Sequence, residues 1–240
     1  MPLTKAEITQ LRGLRNKKNR EAAQAFVVEG PKVVAELVAA GHVFDSVYAT
    51  AEWVQQEAVP TEVIDKIVME KISHFPTPSS VLAVGKIERS QLATDEIDDG
   101  FTLALDGIQD PGNVGTMLRI ADWFGFDRVL LSPNCADLFS QKVINASMGS
   151  FARMRVITTD LNTALGKTSA PVLGCDLEGL PLRDVSTPAA AVLVIGSEGR
   201  GISSDITPLL TQRVTIPRHG EAESLNAAIA AGIVSAHLRS

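Results

Sequence analysis

The sequence has 240 residues, 45% of them hydrophobic and 21% charged, a composition typical of a globular protein with one or two domains. The formal net charge of −6 argues against indiscriminate binding to nucleic acids. The two cysteines, Cys135 and Cys175, lie far apart and form no CxxC motif. Neither a disulfide framework nor a structural metal site is therefore expected, and a reducing compartment fits.

The first twenty residues, MPLTKAEITQLRGLRNKKNR, lack the apolar segment of a secretory signal. The longest apolar stretch, LNAAIAAGIVSAHL, is shorter than the roughly 20 residues that cross a bilayer. We therefore expect a cytoplasmic protein without membrane contact. Residues 1–20 carry six basic side chains and one acidic side chain, a net charge of +5, which leaves −11 on the rest. This basic segment is either a contact for a polyanion or a solvated helix face.

The first ninety residues predict a small α/β unit. A basic helix is followed by the strand FVVEG and by the helix PKVVAELVAAG, which Gly41 should end. The strand DSVYAT, the helix AEWVQQEA and the strand VLAVGKI complete the unit. The polar segment ERSQLATDEIDDG marks a boundary, so we predict domains at residues 1–94 and 95–240.

The second part of the chain alternates between apolar runs and helical patterns. The predicted strands are FTLALDG, RVLLS, MRVIT, PVLGCD, AVLVIG and RVTIP. The predicted helices are NVGTMLRIADWFGF, LFSQKVINASMG, DLNTALGK, SSDITPLL and SLNAAIAAGIVSAHLRS. This order predicts an α/β fold with a mostly parallel sheet covered by helices on both faces. In such sheets ligands bind beyond the carboxyl ends of the strands, so the loops after the strands are the candidate site.

The first of these loops is DGIQDPGNVGTMLR. It contains neither GK[ST] nor GxGxxG, which argues against a phosphate-binding Walker loop and against a nicotinamide fingerprint. Asn113 could cap the following helix through its side-chain oxygen. Arg119 lies about 9 Å further along the helix axis, either on the solvent face or reaching into a cleft.

The second and third loops are VLVIGSEGRGI and VTIPRHGEAESLNAAIAAG. Three glycines of the second loop leave the backbone open to a flat ligand. Glu198, its only acid, is either a helix-end charge, an ion-pair partner or a functional group. In the third loop Ser224 fits the N-cap of the last helix, and Asn226 is then an unusual residue for a first turn.

In this order and at these spacings, the three loops resemble the three motifs of the SpoU (TrmH) family of RNA ribose 2′-O-methyltransferases, members of the SPOUT superfamily. The matching residues are Asn113, Gly115, Arg119 and Ala121, then Gly196, Glu198 and Gly201, and last Ile216, Pro217, Gly220, Ser224, Leu225 and Asn226. The segment KVINASMGS resembles a further family helix through Lys142, Ala146, Ser147 and Gly149.

The front part, with REAAQAFVVEGPKVVAEL, resembles the ribosomal-protein-like substrate-binding domain that many members carry, so the resemblance covers nearly the whole chain. The departures are Arg218, where methionine is frequent, and Ala227, where valine is. Neither falls at an expected catalytic position, and Arg218 would bear on which RNA is tolerated.

The resemblance implies that the second domain is a SPOUT domain with a trefoil knot, which holds S-adenosylmethionine in a bent shape. The residues it assigns to cofactor binding are Gly174, Gly196, Ile216, Ser224, Leu225 and Asn226. It implies no metal.

The resemblance also implies methyl transfer to a ribose 2′-hydroxyl, with five residues in catalytic positions: Arg119, Asn113, Glu198, Ser224 and Asn226. A guanidinium has five donors and no acceptor, so Arg119 fits a clamp on the neighbouring phosphate better than a base. Glu198 could orient Arg119 through a bidentate pair, while Asn113, Ser224 and Asn226 position the ribose and the loops.

The partners implied are RNA and a second copy of the chain in a homodimer. Ribosomal RNA is favoured over transfer RNA, which stays the alternative, because the front domain is of the ribosomal-protein type. A non-catalytic RNA-binding protein on the same fold is a further alternative, although every polar motif position is filled. A nicotinamide-dependent oxidoreductase would require a glycine fingerprint after the first strand, which this chain lacks.

Overall fold

Helices and strands alternate along residues 3–54 and 60–240, the part of the chain that the computed structural model describes. The α-helices are α1 (Lys5–Gly13), α2 (Lys17–Ala23), α3 (Pro31–Ala39), α4 (Ala51–Val54), α5 (Lys66–Ile72), α6 (Pro111–Trp123), α7 (Gln141–Ser147), α8 (Ser150–Arg153), α9 (Leu161–Leu165) and α10 (Ala227–Leu238). The strands are β1 (Ala25–Glu29), β2 (Ser46–Ala49), β3 (Glu62–Val63), β4 (Val81–Lys86), β5 (Phe101–Asp106), β6 (Arg128–Leu131), β7 (Arg155–Thr158), β8 (Val172–Pro181), β9 (Ala191–Gly196) and β10 (Gln212–Thr215).

The chain forms two compact units. Unit 1 comprises Met1–Glu88 and Asp137–Ala152, and unit 2 comprises Arg89–Ala136 and Arg153–Ser240. Short 3-10 helices cover Glu96–Asp98, Leu182–Asp184 and Thr207–Leu209 in unit 2. Of the predicted helix AEWVQQEA, the structure describes α4, and residues 55–58 lie outside the described residues.

Unit 1 is built on a four-stranded sheet in the order β1-β4-β2-β3. Strand β4 runs antiparallel to both β1 and β2, whereas β2 and β3 are parallel. Successive side chains of a strand point to opposite faces. Phe26 and Val28 accordingly join one apolar cluster and Val27 joins the other. Phe139 and Ile144, far along the chain, pack in the first cluster, so the segment around α7 completes the core of unit 1.

The helix boundaries in unit 1 follow from local capping. Thr4 and Glu7 form a reciprocal capping box at the start of α1, and Asn16 caps α2, so the predicted basic helix is two short helices. Helix α3 ends as predicted at Gly41, which has a φ of 82°. The amides of His42 and Gly41 donate to Leu37 and Val38, a Schellman arrangement that favours glycine.

Unit 2 contains a six-stranded, fully parallel sheet in the order β10-β8-β9-β5-β6-β7. All six predicted apolar runs form strands, and the prediction of a parallel α/β sheet is confirmed. Leu161 and Leu165 of α9 pack in a cluster with Ala104 of β5, while α6 and α10 contact each other and the sheet without joining that cluster. Since β10, β8, β9 and β5 are neighbours, the loops that follow them leave from one edge of the sheet.

One predicted helix of unit 2 needs correction. The predicted helix SSDITPLL is wrong, because only Thr207–Leu209 is helical and that turn is a 3-10 helix. Pro208 lacks an amide proton and stands in a segment too short to nucleate an α-helix. The trefoil knot stays a prediction.

No helix among residues 3–54 and 60–240 is long and apolar enough to span a membrane.

His42 is a titratable group in the aromatic core of unit 1. Its ring centroid lies 4.8 Å from that of Phe44 and 5.8 Å from that of Phe26, and its Nε2 is buried without a hydrogen-bond partner in the described structure. Burial lowers the pKa of His42 below its ordinary value of 6.5, although Glu88 and Asp45 act in the opposite direction. The native state therefore favours the neutral ring more strongly than the unfolded chain does.

We predict that unit 1 becomes less stable as the pH falls below about 6.5, because the unfolded chain then binds a proton that native His42 does not bind. His42→Gln should reduce the slope of stability between pH 7 and 5 by at most about 1.4 kcal/mol per pH unit, the limit for one proton. Burial also lowers the pKa of His74, so part of the slope should remain.

The slope can be measured by urea denaturation, with the fluorescence of buried Trp53 as a local probe in a Trp123→Phe background. His219→Gln, at an exposed position, is the matched control and should keep the full slope. An unchanged slope in His42→Gln would contradict the prediction.

Candidate active site

Three side chains from the three candidate loops meet in one hydrogen-bonded network in unit 2. The Nδ2 of Asn113 donates to Oε1 of Glu198 at 2.7 Å. The Nδ2 of Asn226 donates to the same oxygen at 2.9 Å and to Oδ1 of Asn113 at 3.0 Å. We call these three residues the Asn–Glu–Asn network. One carboxylate oxygen thus joins the starts of α6 and α10 to the loop after β9.

Asn226 holds this position because it also caps α10. Its Oδ1 accepts hydrogen bonds from the amides of Ala228 and Ile229 at 3.0 and 3.3 Å, which leaves Nδ2 directed at the network. The interpretation of Ser224 as the cap is therefore wrong. Ser224 is exposed two residues before the cap, and its side chain makes no hydrogen bond within the described part of the chain.

Asn113 is available to the network because another residue caps α6. Asp110 is the N-cap, its Oδ1 accepting from the amide of Asn113 at 2.9 Å, and Pro111 takes the first helical position. This Asp-Pro pair is a favoured helix start, since the proline needs no partner for an amide proton. The prediction that Asn113 caps the helix is therefore wrong, and its carboxamide instead reaches across to the next loop.

The glycine-rich loop after β9 is closed on itself. The amide of Ser197 donates to Gly201 and the amide of Gly201 donates to Ser197, at 3.0 and 2.8 Å. A Cβ on Gly196 would lie 2.2 Å from the carbonyl carbon of Gly201, so this glycine is required by the fold of the loop itself. The Cβ positions of Gly199 and Gly201 meet no atom within 4 Å, which leaves this backbone open to a ligand.

A cavity of about 600 Å³ lies beside the network, between the middle of β8 and the loops that follow β9 and β10. Four of the predicted cofactor-binding residues line it, namely Gly196, Ile216, Ser224 and Leu225. Gly174 and Asn226 do not line it. A Cβ on Gly174 would lie 2.5 Å from Cδ1 of Leu210, so Gly174 makes room for a side chain packed behind the cavity.

The cavity wall also contains residues that the sequence motifs did not reveal. Cys175, in the apolar run PVLGCD, and Leu177, just after that run and 70% exposed, both line it. Burial, with a smaller contribution from Asp176, raises the pKa of the Cys175 thiol to about 11. This thiol stays protonated at neutral pH and is not an activated nucleophile. The described residues contain no cluster that could hold a metal ion.

Arg119 is exposed on α6 and does not line the cavity. In the described part of the chain its guanidinium makes no hydrogen bond or ion pair. The predicted bidentate pair between Arg119 and Glu198 is therefore wrong. Six residues separate Arg119 from Asn113, which places them about 120° apart around the helix, so both cannot face Glu198.

Two family models match the chain. The model described as the SpoU rRNA methylase family matches residues 100–236, and the model described as the MRM3-like substrate binding domain matches residues 5–83. The first match contains all three loops of the site. The second lies within unit 1.

Full-length relatives agree with these matches. The 23S rRNA (guanosine(2553)-2′-O)-methyltransferase RlmP of Bacillus subtilis is 29% identical, over 94% of this chain and 93% of its own. An uncharacterised tRNA/rRNA methyltransferase of Synechocystis is 28% identical, over 95% and 88% of the two chains.

Solved structures superpose over nearly the whole chain. One from Porphyromonas gingivalis, assigned to the TrmH family of RNA methyltransferases, is 38% identical with a TM-score of 0.88, over 99% of this chain and 98% of its own. An AdoMet-bound rRNA methyltransferase from Sinorhizobium meliloti is 25% identical with a TM-score of 0.84, over 100% and 96%.

We predict that Asn226→Asp lowers the free energy of unfolding by about 1–2 kcal/mol at pH 7. Aspartate keeps the oxygen that caps α10, but it replaces the donor to Glu198 with a second carboxylate. Adding Glu198→Gln should recover most of the loss, because the glutamine amide can then donate to the introduced carboxylate. Denaturant unfolding of the parent, both single variants and the double variant measures this coupling. A double variant no more stable than Asn226→Asp would show that the network does not exist in solution.

Proposed function

The chain belongs to the SpoU rRNA methylase family, since the family model spans more than half of its residues, and we propose that it transfers a methyl group from S-adenosylmethionine to a ribose 2′-hydroxyl of ribosomal RNA. The observation that carries this proposal is the Asn–Glu–Asn network, which joins the three motif loops beside a cavity. The full-length Bacillus subtilis relative, named for 2′-O-methylation of 23S rRNA, supports the substrate class.

S-adenosylmethionine fits the cavity beside the network. The cavity volume, about 600 Å³, is in the range of small-molecule sites. Gly196, Ile216 and Leu225 line this cavity, and we propose that their backbone groups hydrogen-bond the adenosine while the side chains of Leu177 and Leu225 offer it apolar surface. Ser224, on the same wall, has a hydroxyl free to bind the ligand. Gly174 and Asn226 support the cavity wall without lining it. Gly174 makes room for Leu210, and Asn226 donates a hydrogen bond to Glu198.

When bound, the cofactor supplies an activated methyl group on a sulfonium. A positive donor and a developing alkoxide become neutral products, so the reaction requires positioning and exclusion of water more than it requires a charge clamp. The Asn–Glu–Asn network holds the loops that provide this positioning. Ser224, which lines the cavity, positions the acceptor ribose. Arg119 has no hydrogen-bond or ion-pair partner in the described protein. Its guanidinium binds the phosphate next to the acceptor ribose, and this phosphate then takes up or relays the proton of the 2′-hydroxyl.

The RNA is held by the front part of the chain. We assign RNA binding to residues 1–94 and methyl transfer to residues 95–240. The match of residues 5–83 to a substrate-binding model supports the first assignment. Exposed basic side chains of α1 and α2 reach phosphates, so affinity should fall steeply with salt. We further propose that the enzyme works in the cytoplasm.

A transfer assay with radiolabelled S-adenosylmethionine tests this function. Purified protein should methylate protein-free ribosomal RNA, and the product should contain a linkage that resists alkaline cleavage, because that cleavage requires a free 2′-hydroxyl. Transfer RNA serves as the competing substrate, and preference for it would replace ribosomal RNA as the target. Label on a base, or no label in either RNA, would refute 2′-O-methyl transfer.

Arg119→Lys should reduce the rate of methyl transfer by about 100-fold or more, because lysine keeps the charge but loses the planar fork that fixes a phosphate. Affinity for S-adenosylmethionine, measured by calorimetry, should change little, since Arg119 does not line the cavity. Arg183→Lys, at another exposed arginine of unit 2, is the matched control. Normal turnover by Arg119→Lys would remove this residue from the mechanism.

We also propose that the enzyme is a homodimer joined through α6 and α10. Trp123, Ile229 and Ile233 are 83%, 56% and 39% exposed, and α6 and α10 contact each other within unit 2. Exposed apolar side chains on two neighbouring helices fit an interface. A second copy of the same surface would bury them.

Ile229→Glu should therefore shift the protein from dimer to monomer at micromolar concentration, as measured by light scattering after size-exclusion chromatography. The first turn of α10 tolerates an acidic side chain, because the positive end of the helix dipole favours it. Val43→Glu, at an apolar position of unit 1 that is 84% exposed, is the control and should stay dimeric. A monomeric parent protein would refute this interface.

A further inference from the structure

Unit 2 contains a second cavity, of about 510 Å³, on the other side of the glycine-rich loop. Residues 197–202 line both cavities, so this loop is a shared wall. The rest of the second cavity is formed by residues 106–110 at the end of β5, by Asn113, by Asn134 after β6, and by Ser203 and Ser204. Whatever binds there lies next to Asn113 and Glu198 of the Asn–Glu–Asn network.

Asn134 is oriented by a chain of hydrogen bonds. The amide of Gly107 donates to Oγ of Ser132 at 2.8 Å, and Ser132 donates to Oδ1 of Asn134 at 2.5 Å. This leaves Nδ2 of Asn134 as a donor without a partner in the described structure. Gly107 has a φ of 69°, and a Cβ there would lie 3.2 Å from this Nδ2, so the glycine leaves room for the carboxamide.

The charge of the wall argues against a phosphate as the ligand. Asp106, Asp110 and Glu198 line the cavity, against one basic side chain, Arg200. Asp106 is 7% exposed, and its Oδ2 accepts a hydrogen bond from the amide of Ser203 at 2.7 Å. This hydrogen bond ties the end of β5 to the segment that follows the glycine-rich loop. Besides Asn134, the exposed Gln109 provides a carboxamide that makes no hydrogen bond in the described structure. A neutral, planar group with donors and acceptors on its edge fits these surroundings, and nucleobases have such edges.

We propose that the second cavity seats the base of the nucleotide whose ribose is methylated, and that Asn134 and Gln109 recognise the edge of that base. The proposal rests on the proposed methyltransferase function, because the methyl acceptor must lie next to the cofactor. It assigns base selection to the loops after β5 and β6, outside the cofactor cavity. Both residues act on specificity and not on the chemical step.

Asn134→Asp tests the proposal with the least disturbance. Aspartate keeps the oxygen that accepts from Ser132 but removes the Nδ2 donor. The substrates are fragments of the RNA that the parent enzyme methylates, with each of the four bases in turn at the modified nucleotide. The parent enzyme should prefer one base, and Asn134→Asp should lower that preference at least tenfold, measured as the ratio of kcat/KM values. Gln109→Ala should raise the KM for the preferred RNA at least threefold, and affinity for S-adenosylmethionine should stay unchanged in both variants.

Asn162→Asp is the matched control, because Asn162 is an exposed asparagine of unit 2 whose amide donates to the carbonyl of Asp205. It should keep the parent's base preference. If Asn134→Asp also keeps it, the assignment of the base to this cavity is overturned while the methyltransferase function stands. Loss of cofactor affinity without a change in base preference would overturn it in favour of an extended cofactor site. A parent enzyme that methylates no RNA would instead refute the proposed function itself.

Discussion

The geometry of the site depends on one carboxylate oxygen that accepts two carboxamide hydrogen bonds. Oε1 of Glu198 is 2.7 Å from Nδ2 of Asn113 and 2.9 Å from Nδ2 of Asn226. Hydrogen bonds to an ionised acceptor are stronger than neutral ones. Each of the three residues is anchored near a strand of the same parallel sheet, β5, β9 or β10. The pairing therefore fixes the distance between loops that are up to 113 residues apart in sequence.

A ligand-binding motif suggests that its glycines leave space for a ligand. Two of the glycines here leave space for other parts of the protein instead. Gly196 and Gly174 are required because backbone or side chains of the protein occupy the space of their Cβ atoms, whereas Gly199 leaves its Cβ direction open. Close packing behind the cavity keeps its wall rigid, and the open positions give a ligand access to the backbone. Gly174 can thus be essential to the site without lining the cavity.

The sequence predicted the strands of unit 2 well, because buried parallel strands appear as continuous apolar runs. It predicted which loops matter, since all three follow such strands. The caps were missed because two capping residue types stand within three positions of each other at both helix starts, Asp110 near Asn113 and Ser224 near Asn226. Side-chain type alone does not show which residue is the cap. At α6 the cap is determined by the proline after Asp110, and at α10 by the network around Asn226.

Contacts between distant residues were the least predictable part. The sequence pattern of α7 indicates a helix but does not indicate which hydrophobic core the helix joins. The structure shows that Phe139 and Ile144 pack in the core of unit 1. The partner of Glu198 was also missed, because opposite charge favours Arg119 and only the rotation of α6 about its axis shows that Asn113 faces the carboxylate instead.

The same rotation separates the charges around the site. Because Glu198 is satisfied by carboxamides, it does not neutralise Arg119, and the guanidinium remains able to bind a phosphodiester. The second cavity holds three carboxylates and one arginine, so it disfavours the phosphates and suits an uncharged base. In the complex proposed above, the phosphate of the nucleotide lies towards α6, and its base lies towards the loops after β5 and β6, where Asn134 and Gln109 recognise its edge. The ribose, which links the two, is then left beside the wall that borders the cofactor cavity.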